Sequence, residues 1–329
     1  MSSFLQGKSI LITGGTGSFG RRFVKTVLAS HDPRRVVIFS RDELKQYEFQ
    51  QELGDERRVR FFIGDVRDRD RLFRAFDSVE IVVHAAALKQ VPAAEYNPFE
   101  AVKTNINGAQ NVIDAALDRG VSRVIALSTD KASSPINLYG ATKLVSDKLF
   151  VAANNYAGSH DTRFGVVRYG NVVGSRGSVV PLFRKLAAAG EIPITDERMT
   201  RFWITLDQGV QFVITMLEKM PGGELFVPQI PSMHVVDLAT ALAPNAKIRV
   251  TGIRPGEKLH EEMISIDDAR RTIAGDGFYV VQPDADWWAR SGRADGWDQT
   301  RVMPEGFRYT SDTNTEWLTI DQLRAMADA

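Results

Sequence analysis

Ser9-Ile10-Leu11-Ile12-Thr13 runs directly into Gly14-Gly15-Thr16-Gly17-Ser18-Phe19-Gly20 near the start of this 329-residue chain. The first five residues form a short apolar run of the kind that makes a buried strand. From Phe19 to Ser30 apolar residues recur at helical spacing. The turn between them satisfies Gly-x-Gly-x-x-Gly through Gly15, Gly17 and Gly20, and Gly-x-x-Gly-x-x-Gly through Gly14, Gly17 and Gly20. A tight turn needs a glycine for backbone freedom, and a pyrophosphate can approach closely only where side chains are missing. The helix N-terminus adds free N–H groups and a favourable dipole. In a strand-turn-helix setting the motif predicts dinucleotide binding, with Gly14, Thr16, Gly17, Ser18, Phe19 and Gly20 as contacts.

Outward from this turn the same alternation repeats. Strands are predicted at Val36–Ser40, Val59–Ile63, Ile81–His84, Val124–Ser128 and Phe164–Tyr169, with helices at Asp42–Leu53, Arg69–Phe76 and Phe99–Arg119 between them. Continuous apolar strands alternating with helices predict a parallel sheet covered on both faces. The fold class is α/β, a Rossmann-type doubly wound parallel sheet with a smaller C-terminal substrate-binding lobe. Residues 1–170 form the dinucleotide-binding domain, to which some later segments return. Residues 171–282 are mainly the second lobe, with a loop at Gly174–Ser178, helices at Val180–Ala189 and Leu206–Lys219, and short strands at Glu224–Val227, Lys247–Thr251 and Phe278–Val281. Residues 283–329 are a tail without clean periodicity, in which Trp287, Trp288 and Trp297 are expected to serve packing or subunit contacts.

Composition narrows the function. Lys+Arg and Asp+Glu are each 41, so there is no net attraction to nucleic acid or to an anionic membrane. No basic stripe supports a nucleic-acid module. The chain has no cysteine, which removes disulfides, thiolate nucleophiles and cysteine metal sites and agrees with a cytoplasmic location. Its five histidines form no spaced ligand set, and no metal is expected. No apolar run is long enough for a signal peptide or a membrane span.

The second strand bears on cofactor choice. It ends Ser40-Arg41-Asp42, with Lys45 one turn later. Arg41 is placed to pair with a 2′-phosphate, which favours NADP. The alternative is Asp42 binding the 2′-hydroxyl of NAD beside a solvated Arg41. Asp65 and Val66 follow the third strand, where the adenine would lie. Ala85, Ala86 and Ala87 follow the fourth and are small enough to let a cofactor lie against the backbone.

Thr129-Asp130-Lys131 and Tyr139-Gly140-Ala141-Thr142-Lys143 carry the chemistry. Tyr139 and Lys143 are four apart and share one face of a helix. An ammonium there is expected to draw the phenol pKa from roughly 10 toward neutrality. A phenolate beside a nicotinamide can take a hydroxyl proton as its carbon loses hydride. Asp130 and Lys131 add a second acid and a second base, which simple alcohol oxidation or 4-epimerisation does not need.

Together these residues resemble the extended short-chain dehydrogenase/reductases that act on nucleotide sugars. The shared features are Thr13 to Gly20, Gly64-Asp65, His84 to Ala87, Asn105, Ser128-Thr129 and the Tyr139/Lys143 pair. Phe39–Gln46, His84–Pro92, Ser128–Ala132, Asn137–Lys143, Arg168–Gly174 and Arg254–Lys258 are most similar to the inverting UDP-N-acetylglucosamine 4,6-dehydratases, which open pseudaminic acid biosynthesis. The resemblance spans most of residues 5–282. It implies that Lys89, Asn105 and Tyr169 join the cofactor contacts. It implies substrate contacts from Lys89, Lys131, Asn171, Ser178, Val179, Thr195, Arg201, Arg254 and Glu257, with Arg201 and Arg254 suited to a diphosphate. Retaining relatives carry Asp-Glu after the threonine, and this chain has Asp130-Lys131. The roles implied are Tyr139 as C4 base, Thr129 as its hydrogen-bonding partner, Asp130 as a protonated acid at the C6 hydroxyl and Lys131 as a neutral C5 base. The resemblance also implies a homo-oligomer, from dimer to hexamer. A retaining dehydratase or an epimerase on the same fold is the near alternative, and a non-catalytic NADP-binding scaffold the distant one.

Overall fold

The computed structural model describes residues 3–158, 160–174, 179–187, 190–283, 288 and 297–328. Ser178, Trp287 and most of the Trp-rich stretch lie outside the described residues. β1 (Ser9–Thr13), β2 (Arg35–Ser40), β3 (Val59–Ile63), β4 (Ile81–His84), β5 (Arg123–Thr129) and β6 (Arg163–Tyr169) form a parallel sheet in the order β3-β2-β1-β4-β5-β6. The connecting helices are α1 (Ser18–Ser30), α2 (Glu43–Leu53), α3 (Arg69–Ala75), α4 (Val91–Tyr96), α5 (Pro98–Val102), α6 (Gly108–Asp118) and α7 (Leu138–Ala153). Every residue of β1 and β4 is buried, as continuous apolar strands require. The strand order runs outward in opposite directions from β1 and β4, so a ligand crevice opens at their carboxyl ends.

The chain then leaves the sheet through β7 (Asn171–Val172), α8 (Val179–Ala187), β8 (Glu191–Ile194) and β9 (Thr200–Ile204). It returns with α9 (Leu206–Lys219), which packs on α1, and β10 (Leu225–Pro228), which pairs parallel with β6. A second excursion covers β11 (Ser232–His234), α10 (Val235–Leu242), β12 (Lys247–Val250) and β13 (Glu262–Ile264). Two antiparallel strands, β14 (Thr272–Ala274) and β15 (Phe278–Val281), then extend the sheet to nine strands among the described residues. The smaller lobe has its own core, including Val180, Phe183, Ile192, Ile194, Trp203 and Leu238. The C-terminal helix α11 (Ile320–Asp328) packs on α10 and buries Leu323 in that core, so the end of the tail belongs to the second lobe.

Three elements differ from the sequence expectation. The single helix expected over Phe99–Arg119 is broken by a π-helical turn at Lys103–Asn107. The wider turn places Asn105 inward, where it donates to the Leu88 carbonyl at 2.9 Å and accepts from the Leu88 amide at 2.8 Å. The strand β9, for which the sequence reading gives no element, opens with Thr200 and Arg201 before the short apolar run Phe202-Trp203-Ile204, and all five of its residues are buried. α11 ends a tail in which no periodicity was expected.

The turn after β1 is built without slack. Gly14 has φ +66°, and a Cβ there would stand 2.9 Å from the Ala86 amide nitrogen. A Cβ on Gly20 would stand 2.5 Å from the Gly15 Cα, with only backbone to give way. Gly20→Ala is therefore expected to cost about 1–3 kcal/mol in a denaturant melt and to weaken dinucleotide binding. Gly209 in α9 faces open space, and Gly209→Ala in the same assay should stabilise by about 0.5–1 kcal/mol.

β1 and β4 are also tied by their side chains. Thr13 Oγ1 lies 2.8 Å from His84 Nδ1 and accepts from the Ala85 and Ala86 amides at 3.2 Å each. With its lone pairs so used, the Thr13 hydroxyl donates to Nδ1, and the imidazole proton resides on Nε2. Burial, and then the charge of Lys143, push the His84 pKa down to about 3. An unfolded histidine takes a proton near 6.5, so between those values the unfolded state binds more protons. Stability is fully present above about pH 6.5 and is lost as pH falls toward the folded pKa. On going from about pH 7 to about pH 5, the protein should lose about 2 kcal/mol that His84→Asn does not lose, read from urea midpoints.

Candidate active site

A cavity of about 1290 Å³ opens at the carboxyl ends of β1 and β4 and reaches into the second lobe. Its size exceeds the ~300–1,000 Å³ usual for one small ligand, so it has room for two. One arm is the glycine turn, where Gly14, Thr16, Gly17, Ser18, Phe19 and Gly20 line the wall. α1 begins there with no side-chain cap at Gly17 and no acidic residue in its first turn. An anion is thus favoured at this end. The missing Cβ atoms at Gly14 and Gly20 and the uncapped helix together fit a dinucleotide pyrophosphate.

The selectivity residues lie on the same arm. Thr16 Oγ1 and Ser40 Oγ are 2.7 Å apart. Asp42 caps α2, accepting from the Lys45 amide at 3.0 Å, and its other oxygen is 2.6 Å from Lys45 Nζ. Arg41 is half exposed and 3.5 Å from Asp65, whose oxygens are also held by Arg67. Asp42 is therefore engaged in its own helix while Arg41 stays at the rim. Val66, Ala85, Ala86, Ala87, Lys89 and Tyr169 also line the cavity. Asn105 does not. Its amide bonds Leu88 and, at 3.0 Å, Thr142 Oγ1, so it acts on the site by tying the loop after β4 to α7.

The reactive groups converge where β5 ends and α7 begins. Asn137 caps α7, accepting from the Gly140 amide at 2.8 Å, and the helix places Tyr139 in its first turn and Lys143 one turn on. Thr129, Asp130, Lys131, Tyr139 and Lys143 all line the cavity. Thr129 Oγ1 donates to Asp130 Oδ1 at 2.9 Å, and Lys131 Nζ donates to the same oxygen at 3.1 Å. Lys131 Nζ also donates to Glu261 Oε1 at 3.0 Å. Asp130 Oδ2 is buried with no hydrogen-bond partner among the described residues.

Electrostatics divides these groups. Burial, and then the charge of Glu261, raise the Asp130 pKa against Lys131 and the Thr129 hydrogen bond. Burial would also raise Glu261, but Lys131 and Arg201 hold it below the usual carboxylate range. Two carboxylates whose surroundings push them apart mark an acid and an anion. For Lys131 burial favours the neutral amine, yet Asp130 and Glu261 outweigh it and lift the pKa above the lysine range. The depressed pKa expected of Lys131 is thus not found. Nor is the lowered phenol. Burial pushes Tyr139 up to about 12, and the main charge working against that is Lys131 rather than Lys143. Lys143 is itself lowered by burial, opposed by Asp147. Behind the site Asp147 Oδ2 accepts from Ser128 Oγ at 2.6 Å and from Arg168 at 3.2 Å, which fixes the floor under Lys143.

The second lobe supplies the far wall through Asn171, Val179, Thr195, Arg201, Arg254 and Glu257. Arg201 is buried and donates to the carbonyls of Thr200, Leu259 and Lys258, with Glu257 and Glu261 at 3.7 and 3.6 Å. Most of its donors are spent inside the protein. Arg254 is largely exposed and clasped by Glu257 at 3.1 and 3.2 Å, so Glu257 orients an arginine at the cavity mouth. Glu261 and Lys258 line the cavity without having been given a role from the sequence, where Lys258 only closes the Arg254–Lys258 stretch and Glu261 belongs to no motif. Asp147 had a signal, being four residues after Lys143 and eight after Tyr139. Among the described residues no His/Cys/Asp/Glu group could hold a metal, and no helix is long and apolar enough to cross a membrane.

Comparison with known proteins agrees with this geometry. A family model described as "Polysaccharide biosynthesis protein" matches residues 10–283. A Campylobacter jejuni protein (serotype O:23/36, strain 81-176) named UDP-N-acetylglucosamine 4,6-dehydratase (inverting) is 56% identical over 96% of each chain. The X-ray structure of Pen from Bacillus thuringiensis superposes with a TM-score of 0.89 and 36% identity, covering 98% of this chain and 97% of that one. DesIV, a dTDP-glucose 4,6-dehydratase from Streptomyces venezuelae solved with NAD bound, gives a TM-score of 0.69 and 25% identity over 76% of this chain and 86% of that one. By fold, by motif and by a match over most of its length, this chain belongs to the polysaccharide biosynthesis protein family and groups within it with the inverting UDP-N-acetylglucosamine 4,6-dehydratases.

Proposed function

We propose that the protein is an NADP-dependent, C5-inverting UDP-N-acetylglucosamine 4,6-dehydratase. The net reaction eliminates water, which makes it a hydro-lyase, and gives UDP-2-acetamido-2,6-dideoxy-β-L-arabino-hex-4-ulose, a precursor for pseudaminic acid. The observation that carries the reading is the pairing of a raised, buried Asp130 with Lys131 on the cavity wall that also holds Tyr139. Such a set serves an elimination as well as a redox step. The near-full-length relative of that name supports the sugar nucleotide.

The glycine turn from Gly14 to Gly20 would hold NADP, which would supply a hydride acceptor for C4 and a hydride donor for C6. Tyr139 receives the C4 hydroxyl proton, and Thr129 orients that hydroxyl. Lys131 takes the C5 proton once the neighbouring C4 carbonyl has acidified it. Asp130 Oδ1 already accepts from Thr129 and Lys131, so its proton resides on Oδ2, the oxygen left to donate to the departing C6 hydroxyl. A proton returned to C5 on the opposite face gives inversion. Lysine at 131, where retaining relatives carry glutamate, supports that outcome.

UDP-N-acetylglucosamine incubated with the protein in D₂O should yield the 4-keto-6-deoxy product with one deuterium at C5 and inverted C5 configuration by NMR. Tyr139→Phe should slow turnover by about 10²–10⁴-fold. Retention at C5, or a C4 epimer with its C6 oxygen intact, would replace this reading with the retaining or epimerase one.

Arg41 at the rim, with Asp42 engaged in capping, supports NADP over NAD. NADP should therefore bind tighter than NAD. Arg41→Ala should weaken NADP by about 10–100-fold and leave NAD nearly unchanged, measured by titration calorimetry. Tighter NAD binding by the unmodified protein would reverse the assignment.

A further inference from the structure

Of the ionisable groups on the cavity wall that the mechanism above does not use, Glu261 bonds directly to Lys131. Glu261 lies just before β13, and its side chain is 3% exposed. Its Oε1 accepts from Lys131 Nζ at 3.0 Å and lies 3.6 Å from Arg201 Nε. Its amide donates to Ser311 Oγ at 2.9 Å, which fixes the backbone beneath it. Its Oε2 is buried with no hydrogen-bond partner among the described residues. A carboxylate desolvated to this degree is strongly unfavourable unless cations offset it.

The charged and titratable groups facing Lys131 are few. Asp130 comes from the same turn, Tyr139 from α7, Arg201 from β9, and Glu261 and Lys258 from the segment before β13. The anions among them are Asp130 and Glu261. Asp130 has to be neutral to serve as the acid, which leaves Glu261 as the standing anion beside the amine. A hydrogen bond at 3.0 Å fixes the nitrogen in place, and a full charge at that range governs when the nitrogen can lose its proton.

We propose that Glu261 is a positioning residue for the C5 base: it holds the Lys131 nitrogen at the cavity wall and sets the pH above which that nitrogen accepts the C5 proton. The proposal rests on the reading of Lys131 as that base. Glu261→Gln keeps the shape and a hydrogen-bond acceptor but removes the charge. The experiment follows solvent deuterium entering C5 of UDP-N-acetylglucosamine by NMR, with the full-length protein across a pH range. The rising limb of the rate profile should move to lower pH by about one to three units in Glu261→Gln, with KM unchanged. Glu261→Asp keeps the charge and withdraws it by one methylene, so it should leave the limb near that of the unmodified protein and lower the plateau. An unmoved limb in Glu261→Gln, with the rate reduced equally at every pH, overturns the proposal. Should Glu261→Gln fail to fold, a Glu261→Asp profile with both plateau and limb unchanged overturns it. Lys131→Ala, run alongside, should abolish C5 exchange. Exchange persisting there at the normal rate removes the base assignment itself, which is a separate outcome from an inert Glu261.

Discussion

The ammonium of Lys131 lies between two buried carboxylates, and the site is organised by the fact that the two are not equivalent. Among the described residues Asp130 has one ion-pair partner, Lys131, and hydrogen bonds on only one oxygen. Glu261 has Lys131 and Arg201. Burial penalises both anions, so the one with more cationic support has its pKa held low and the other has its pKa raised. The division of acid from anion is made by neighbours, since the two side chains differ by only one methylene. It also ties the two halves of the molecule together. Lys131 follows β5 of the large sheet, Arg201 sits in β9, and Glu261 precedes β13. The charge pattern is complete only when the second lobe is folded against the first.

That joint has a structural counterpart in the sheet. The chain leaves after β6 and comes back as α9 and β10 before leaving again, so the second lobe is anchored at several crossings and not by a single linker. Arg22 of α1 pairs with Asp207 of α9, the helix that carries the chain back. Such a surface pair contributes little energy. The packing of α9 on α1 and the parallel pairing of β10 with β6 carry the anchoring. Arg201 can then afford three bonds to backbone carbonyls. Its role is to fix the 258–261 segment near Lys131, while the exposed Arg254 remains at the mouth.

What could be read from the sequence was local. The strand, glycine turn and helix from Ser9 to Ser30 lie within one stretch, and five of the six parallel strands carry an apolar run, β3 being interrupted by Arg60. Tyr139 and Lys143 share a face because helical spacing puts them there. The readings that differ depend on distance along the chain. Glu261 meets Lys131 across 130 residues, and no local pattern marks it. The inward turn at Asn105 needs an extra residue in the helix, whose cause is the partner Leu88 in another loop. The pKa directions of Tyr139 and Lys131 depend on burial and on those remote charges. Spacing alone supplied one ammonium beside the phenol and none of the desolvation that outweighs it. Buried β9 was hidden for the same reason, since Arg201 is paid for by carbonyls far from its own strand.

The raised pKa of Lys131 and the raised pKa of Asp130 belong to one cycle. While Asp130 keeps its proton, Lys131 has a single ionised carboxylate beside it, and its neutral form is at its most accessible. In the proposed mechanism Asp130 gives its proton to the departing C6 hydroxyl, and a second anion then stands 3.1 Å from the nitrogen. That anion favours the ammonium which the C5 proton has just created. Loss of a proton by the acid therefore stabilises gain of a proton by the base, and the two transfers draw each other forward across the C5–C6 bond. A glutamate in place of Lys131 would feel a coupling of the same sign, because a nearby anion raises the pKa of a carboxylate as it does that of an amine; what differs is that the glutamate would be an anion before the transfer and neutral after it. With lysine as the base the two transfers turn a neutral pair into an ion pair, whose charges cancel, while Glu261 stays an anion throughout.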